Sequence, residues 1–97
     1  MTASIRRLVL DVLKPIRMET LELARSVSEC DGVEGVNVDL VETDQEVQNL
    51  KITIEGDAIH AEMVETAIED LGGSVHSIDQ VAMGERLVEQ TPTFQDP

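Results

Sequence analysis

The order of the periodic segments constrains this chain more than any other feature: strand, helix, strand, strand, helix, strand, filling residues 5–84 almost completely. Ile5 to Leu13 is rich in β-formers, with Leu8, Leu10 and Val12 on one parity and Arg7, Val9 and Asp11 on the other. Lys14-Pro15 ends that strand, because proline cannot extend a ladder. From Arg17 to Cys30 the period changes, and Ile16, Leu23, Ala24, Val27 and Cys30 fall near one helical face. Met18 and Leu21 sit off that stripe and read either as a wide core face or as a subunit contact. Asp31-Gly32 supplies the stop. Val33 to Thr43 and Val47 to Glu55 alternate cleanly about the polar turn Asp44-Gln45-Glu46, the pattern of a hairpin. Gly56-Asp57 opens a second helix with Asp57 as N-cap, and Met63, Val64, Ala67, Ile68 and Leu71 form its apolar stripe. Gly72-Gly73 closes the helix, Val75 to Met83 is the fourth strand, and Gly84 marks a bend. Gln90 to Pro97 is polar with two prolines and reads as an extended tail.

This order predicts an α+β fold, a ferredoxin-like βαββαβ sandwich. Its four-stranded antiparallel sheet takes the order four, one, three, two, with both helices on one face. The chain reads as one domain over 1–97, with a core over 5–84 and a C-terminal extension over 85–97.

Aromatic residues are nearly absent, Phe94 being the only one, so the core must be aliphatic. A small aliphatic core favours additional burial by self-association. The net charge is −13, with 20 Asp and Glu against 7 Lys and Arg, and the only lysines are Lys14 and Lys51. Many carboxylates with few lysines keep a protein hydrated in concentrated salt, where self-repulsion is screened. The composition therefore reads as a halophilic cytoplasmic protein; the plainer alternative is an acidic mesophile domain. Nucleic acid and anionic membrane are poor partners, since no basic stripe or stacking platform exists. Cys30 is alone, which rules out an internal disulfide. No apolar run approaches the roughly 20 residues of a membrane span, and Arg6, Arg7 and Asp11 break any signal-like segment.

With both helices on one face, the other face of the sheet is polar. It presents Arg7 and Asp11, Asn49, Lys51, Thr53 and Glu55, His76, and Asn37 and Asp39. Antiparallel pairing brings Asp11 near Lys51 and His76, and Arg7 near Glu55. The plain reading is cross-strand ion pairing, worth roughly 0.2–1 kcal/mol per pair. The sharper reading is a polar ligand pocket at Asp11, Lys51 and His76, or a divalent-cation site for calcium or magnesium at Asp11, His76 and Asp79. No catalytic residues are recognisable: there is no Gly-rich phosphate loop, no nucleophile triad and no Cys-x-x-Cys copper loop. His60 reads as a solvated helix residue and Cys30 as a small buried one.

Four blocks carry a resemblance. They are Ile5-Arg6-Arg7-Leu8-Val9-Leu10-Asp11-Val12-Leu13-Lys14-Pro15, Gly32-Val33-Glu34-Gly35-Val36-Asn37, Lys51-Ile52-Thr53-Ile54-Glu55-Gly56 and Gly72-Gly73-Ser74-Val75-His76-Ser77-Ile78-Asp79. Together they resemble an archaeal family, the domain of unknown function numbered 211, over residues 5 to about 90. The strand-four block is the most specific. The resemblance implies a ferredoxin-like fold, an archaeal cytoplasmic setting and a ring-like homo-oligomer, and it implies no established activity. The tail departs from the family pattern at Thr93-Phe94, which reads as a short insertion.

These readings lead to a non-enzymatic, homo-oligomeric module that binds a small ligand or cation. A purely structural or scaffolding homo-oligomer is the alternative. Open sheet edges invite strand addition, so residues 85–94 are expected to cross to a neighbouring subunit, burying Leu87, Val88 and Phe94 there.

Overall fold

The computed structural model describes residues 3–89. Its elements are β1 (Ile5–Pro15), α1 (Thr20–Ser28), β2 (Val33–Thr43), β3 (Val47–Gly56), α2 (Ala61–Asp70) and β4 (Ser74–Met83). The sheet order is β2-β3-β1-β4 and every neighbouring pair is antiparallel. This is the expected ferredoxin-like α+β sandwich.

Parity decides what the sheet buries. Leu8, Leu10 and Val12 of β1 meet Leu50, Ile52 and Ile54 of β3 in direct register. With Leu23, Val27 and Cys30 from the α1 side, and Val64 and Ile68 from α2, they form one aliphatic core. Each such side chain contributes about 1.5–3 kcal/mol when fully buried. The helix layer does not cover the sheet margins. Leu40 on β2 is 58 % exposed and Ile78 on β4 is 59 % exposed, although their register partners Leu50 and Leu10 are buried.

Three boundaries differ from the sequence expectation. β1 runs through Pro15, which pairs with Val47. Ile16 N–H donates to Glu46 O at 3.0 Å, so the missing N–H of Pro15 falls on the β4 side. Pairing there has already stopped at Leu13–Ser74, and the proline costs no ladder bond. α1 begins at Thr20 rather than Arg17. The Lys14 ammonium donates to Pro15 O at 3.1 Å and Met18 O at 2.5 Å, holding residues 15–18 in a turn. α2 begins at Ala61, and its N-cap is His60 rather than Asp57, with Nδ1 accepting from Met63 N–H at 3.1 Å. Residues 57–60 are instead a turn that plugs Ile59 into the core and ties Ile59 N–H to Ile5 O and His60 N–H to Asp31 O.

That turn sits against the α1–β2 connection. Gly32 has φ +86, and a Cβ there would lie 2.2 Å from Ala58 O, so only glycine fits.

Beyond β4 the chain reverses at Gly84, whose φ is +105. Residues 85–89 then fold back on their own chain. Arg7 donates to both carboxylate oxygens of Glu89, at 3.0 and 2.8 Å, and Arg6 donates to Glu85 O at 2.9 Å. Val88 remains 74 % exposed. Residues 90–94, where the expected crossing to a neighbour would seat Phe94, lie outside the described residues.

Candidate functional site

The uncovered sheet face is a ladder of cross-strand rows. At one end Arg7 pairs with Glu55, Nε to Oε2 2.8 Å, which is the cross-strand ion pair expected from parity. Glu89 packs on the same guanidinium at 2.8 Å. The hydrogen bond from Arg7, followed by its charge, holds the Glu89 carboxyl below the ordinary carboxylate range. Arg7 is pushed above its ordinary value by the same two carboxylates. Val9, which shares this face, is buried all the same.

The middle row runs Asp39, Lys51, Asp11, Ser77 across β2, β3, β1 and β4. Asp11 and Lys51 are direct register partners, yet they form no ion pair among the described residues. The Asp11 carboxylate accepts instead from the side-chain amide of Asn49, one row along on β3. Lys51 stays exposed between Asp11 and Asp39.

His76 and Asp79 are not at ladder positions. Val12 pairs with Val75 and Asp11 with Ser77, which leaves His76 as an extra residue; Leu10 pairs with Ile78 and Val9 with Gln80, which leaves Asp79 as another. Two bulges therefore interrupt β4, and a bulge re-aims its side chain and disrupts simple alternation. Asp79 accepts from Ser77 Oγ at 2.7 Å. Among the described residues, no group of three or more His, Cys, Asp and Glu side chains stands where it could hold a metal ion. In this conformation Asp11, His76 and Asp79 are thus not drawn together as a ligand set. The strict alternation that placed His76 on this face does not survive the bulges, and alternation by itself sets Asp79 on the opposite parity to His76.

The far end of the same face is apolar, which the parity reading overlooked. A cleft of about 660 Å³ opens where β1 ends, between the β1–α1, β2–β3 and α2–β4 connections. Leu13, Pro15, Ile16 and Val47 give it apolar walls, and Arg17 and Glu46 bring opposite charges to it. Lys14 also lines it. Lys14 is the one charged residue buried among the described residues, and its two ammonium contacts are backbone carbonyls. A sequence signal existed in the continuation of odd parity from Asp11 to Leu13 and Pro15. Stopping the strand at the proline concealed it.

No helix among the described residues is long and apolar enough to cross a membrane. Comparison with known proteins shows the family, and the relatives it gives are described as uncharacterized. The sequence model of the DUF211 family, described as "Uncharacterized ArCR", matches residues 6–97. The chain is also 40 % identical over 92 residues to the uncharacterized protein MJ0319 of the archaeon Methanocaldococcus jannaschii, covering 95 % of each chain.

Proposed function

Since the chain belongs to the DUF211 family, whose matched relative is itself uncharacterized, we propose its role from the structure: a non-enzymatic, homo-oligomeric module that binds a small ligand or cation. The carrying observation is an uncovered, charged sheet face bounded by two open edge strands.

The edges support assembly. β2 and β4 have 11 and 10 residues, and each leaves apolar side chains uncovered: Leu40 and Val41 on one edge, Ile78, Val81 and Met83 on the other. Long apolar edges are templates for pairing with another chain. Three successive antiparallel pairings leave β2 and β4 running in opposite directions. β2 of one copy therefore extends β4 of the next in antiparallel fashion, head to tail. Such a contact closes a ring when its rotation closes. The ligand reading is supported by the spread of titratable groups along the face, Asp39, Lys51 and Asp11 in one row, which suits recognition of a polar partner. The scaffold reading draws on the same edges and needs no ligand.

Native mass spectrometry of freshly purified protein separates the readings. The expected result is a multiple of the chain mass carrying additional non-protein mass, with Leu40→Lys and Val81→Lys each reducing the assembly to monomer. A bare oligomer would favour the scaffold. A monomer at physiological concentration and molar potassium chloride would overturn both readings.

A further inference from the structure

The cleft at the end of β1 is lined by two cations, Lys14 and Arg17, and one carboxylate, Glu46, in a protein that is otherwise strongly acidic. Seven cationic side chains face 20 carboxylates in the sequence. Arg7 is paired with Glu55 and Glu89, and Arg25 with Glu22. Lys14 and Arg17 line the same cleft, and among the described residues neither forms an ion pair. Lys14 is 2 % exposed, and two of its three N–H groups go to carbonyls, so its charge meets dipoles but no counter-ion. A buried charge without an opposite partner is costly. An anion seated in the cleft would lie in the field of this charge and within reach of an exposed guanidinium, the side chain best shaped to take a carboxylate in two parallel hydrogen bonds.

The rest of the cleft limits the kind of anion. Leu13, Ile16 and Val47 are apolar, and Ile16 and Val47 are each 40 % exposed. A volume of about 660 Å³ is within the range of small-molecule sites. Glu46 also lines the cleft and makes no ion pair with Arg17, so a ligand amine would find a carboxylate there. We propose that this cleft binds a small carboxylic acid with a short aliphatic body, its carboxylate on Arg17 and its apolar part on Leu13, Ile16 and Val47. The proposal rests on the ligand-binding reading above and gives it a site away from the Asp11 row.

Isothermal titration of the full chain with isocaproate, leucine and acetate tests it. Isocaproate shares the aliphatic body and lacks the amine, leucine has both, and acetate lacks the body. The expected result is saturable binding of isocaproate or leucine and much weaker binding of acetate. Arg17→Ala is expected to weaken binding about tenfold or more, as loss of a charge-assisted hydrogen bond does. Val47→Glu, which places an anion on the apolar wall, should weaken it as well. Both positions are exposed, so the variants keep the fold, which circular dichroism checks. No saturable binding of either aliphatic probe, or binding unchanged by Arg17→Ala, would overturn the proposal. A co-purifying ligand retained by Arg17→Ala and lost from Asp11→Asn would overturn the cleft assignment while leaving the ligand-binding reading in place.

Discussion

Arg6 and Arg7 adjoin in β1 and do different work. Arg6 binds the backbone at the end of β3 and just beyond β4, through Gly56 O and Glu85 O, while Arg7 holds Glu89 on the open face. Their shared effect is to fasten residues 85–89. Because Arg7 depresses the Glu89 carboxyl, that fastening is complete above the unfolded carboxyl value of about pH 4.3 and is lost as pH falls through the lowered folded value. Methyl resonances of Leu87 and Val88 should hold steady from pH 7 down to that range and then move toward random-coil positions. Arg7→Ala should give the random-coil positions already at pH 7, and unchanged shifts in that variant would remove the anchor. Cys30 offers a second titration. Burial, then Asp31 and Glu29, raise its thiol above the ordinary value. Its contribution to stability is fully present below the unfolded thiol value, about 8.5, and declines as pH rises through it toward the raised folded value. Iodoacetamide at pH 8 should modify native Cys30 far more slowly than the unfolded chain, and Cys30→Ala should flatten the alkaline decline. Equal alkylation rates would contradict the buried placement.

At the scale of elements, the connections carry the specificity. The α1–β2 and β3–α2 connections touch through bare backbone at Gly32, where no side chain can enter. Gly32→Ala should therefore cost more than about 1 kcal/mol, from both the positive φ and the backbone clash. Gly35→Ala, with nothing within 4 Å of the added Cβ, should fall within about 0.5 kcal/mol of the parent. Urea midpoints of the two variants measure the contrast, and equal midpoints would refute the close approach. The same scale shows which parts of the site were legible. Asp11 and Lys51 were placed opposite one another by parity alone, because β1 and β3 pair without a bulge. His76 and Asp79 were not, because β4 is an edge strand, and two of the three register shifts in its ladder with β1 leave an extra residue on β4. Local alternation carries no record of where an edge will bulge; that depends on twist and on the strand beside it. His60 is exposed, as a solvated residue should be, but it stands at the N-cap of α2 rather than inside the helix, with its ring nitrogen accepting from Met63 N–H.

For the whole molecule, charge is the dominant variable. At −13 over 97 residues, self-repulsion opposes the compact state in dilute buffer, and the Debye length of about 3 Å at 1 M salt removes most of it. Thermal melts should show a higher midpoint in molar potassium chloride than in dilute buffer; an equal or lower midpoint would refute a salt-adapted surface. The sequence by itself determined the element order, the antiparallel hairpin and the aliphatic core, because each follows from periodicities of two and 3.6 that local chemistry imposes; the strand order came with the fold that this element order predicts. It also determined the charge and the lone cysteine. Tertiary structure alone decided that Pro15 continues β1, that Lys14 is buried against two carbonyls, that residues 85–89 return to Arg7, and that Leu13, Ile16, Val47 and Arg17 gather around one cleft. Lys14 turns to carbonyls only one and four residues away, but the return to Arg7 and the cleft join residues far apart in the chain. The cleft is set by where three connections converge, which no local pattern encodes.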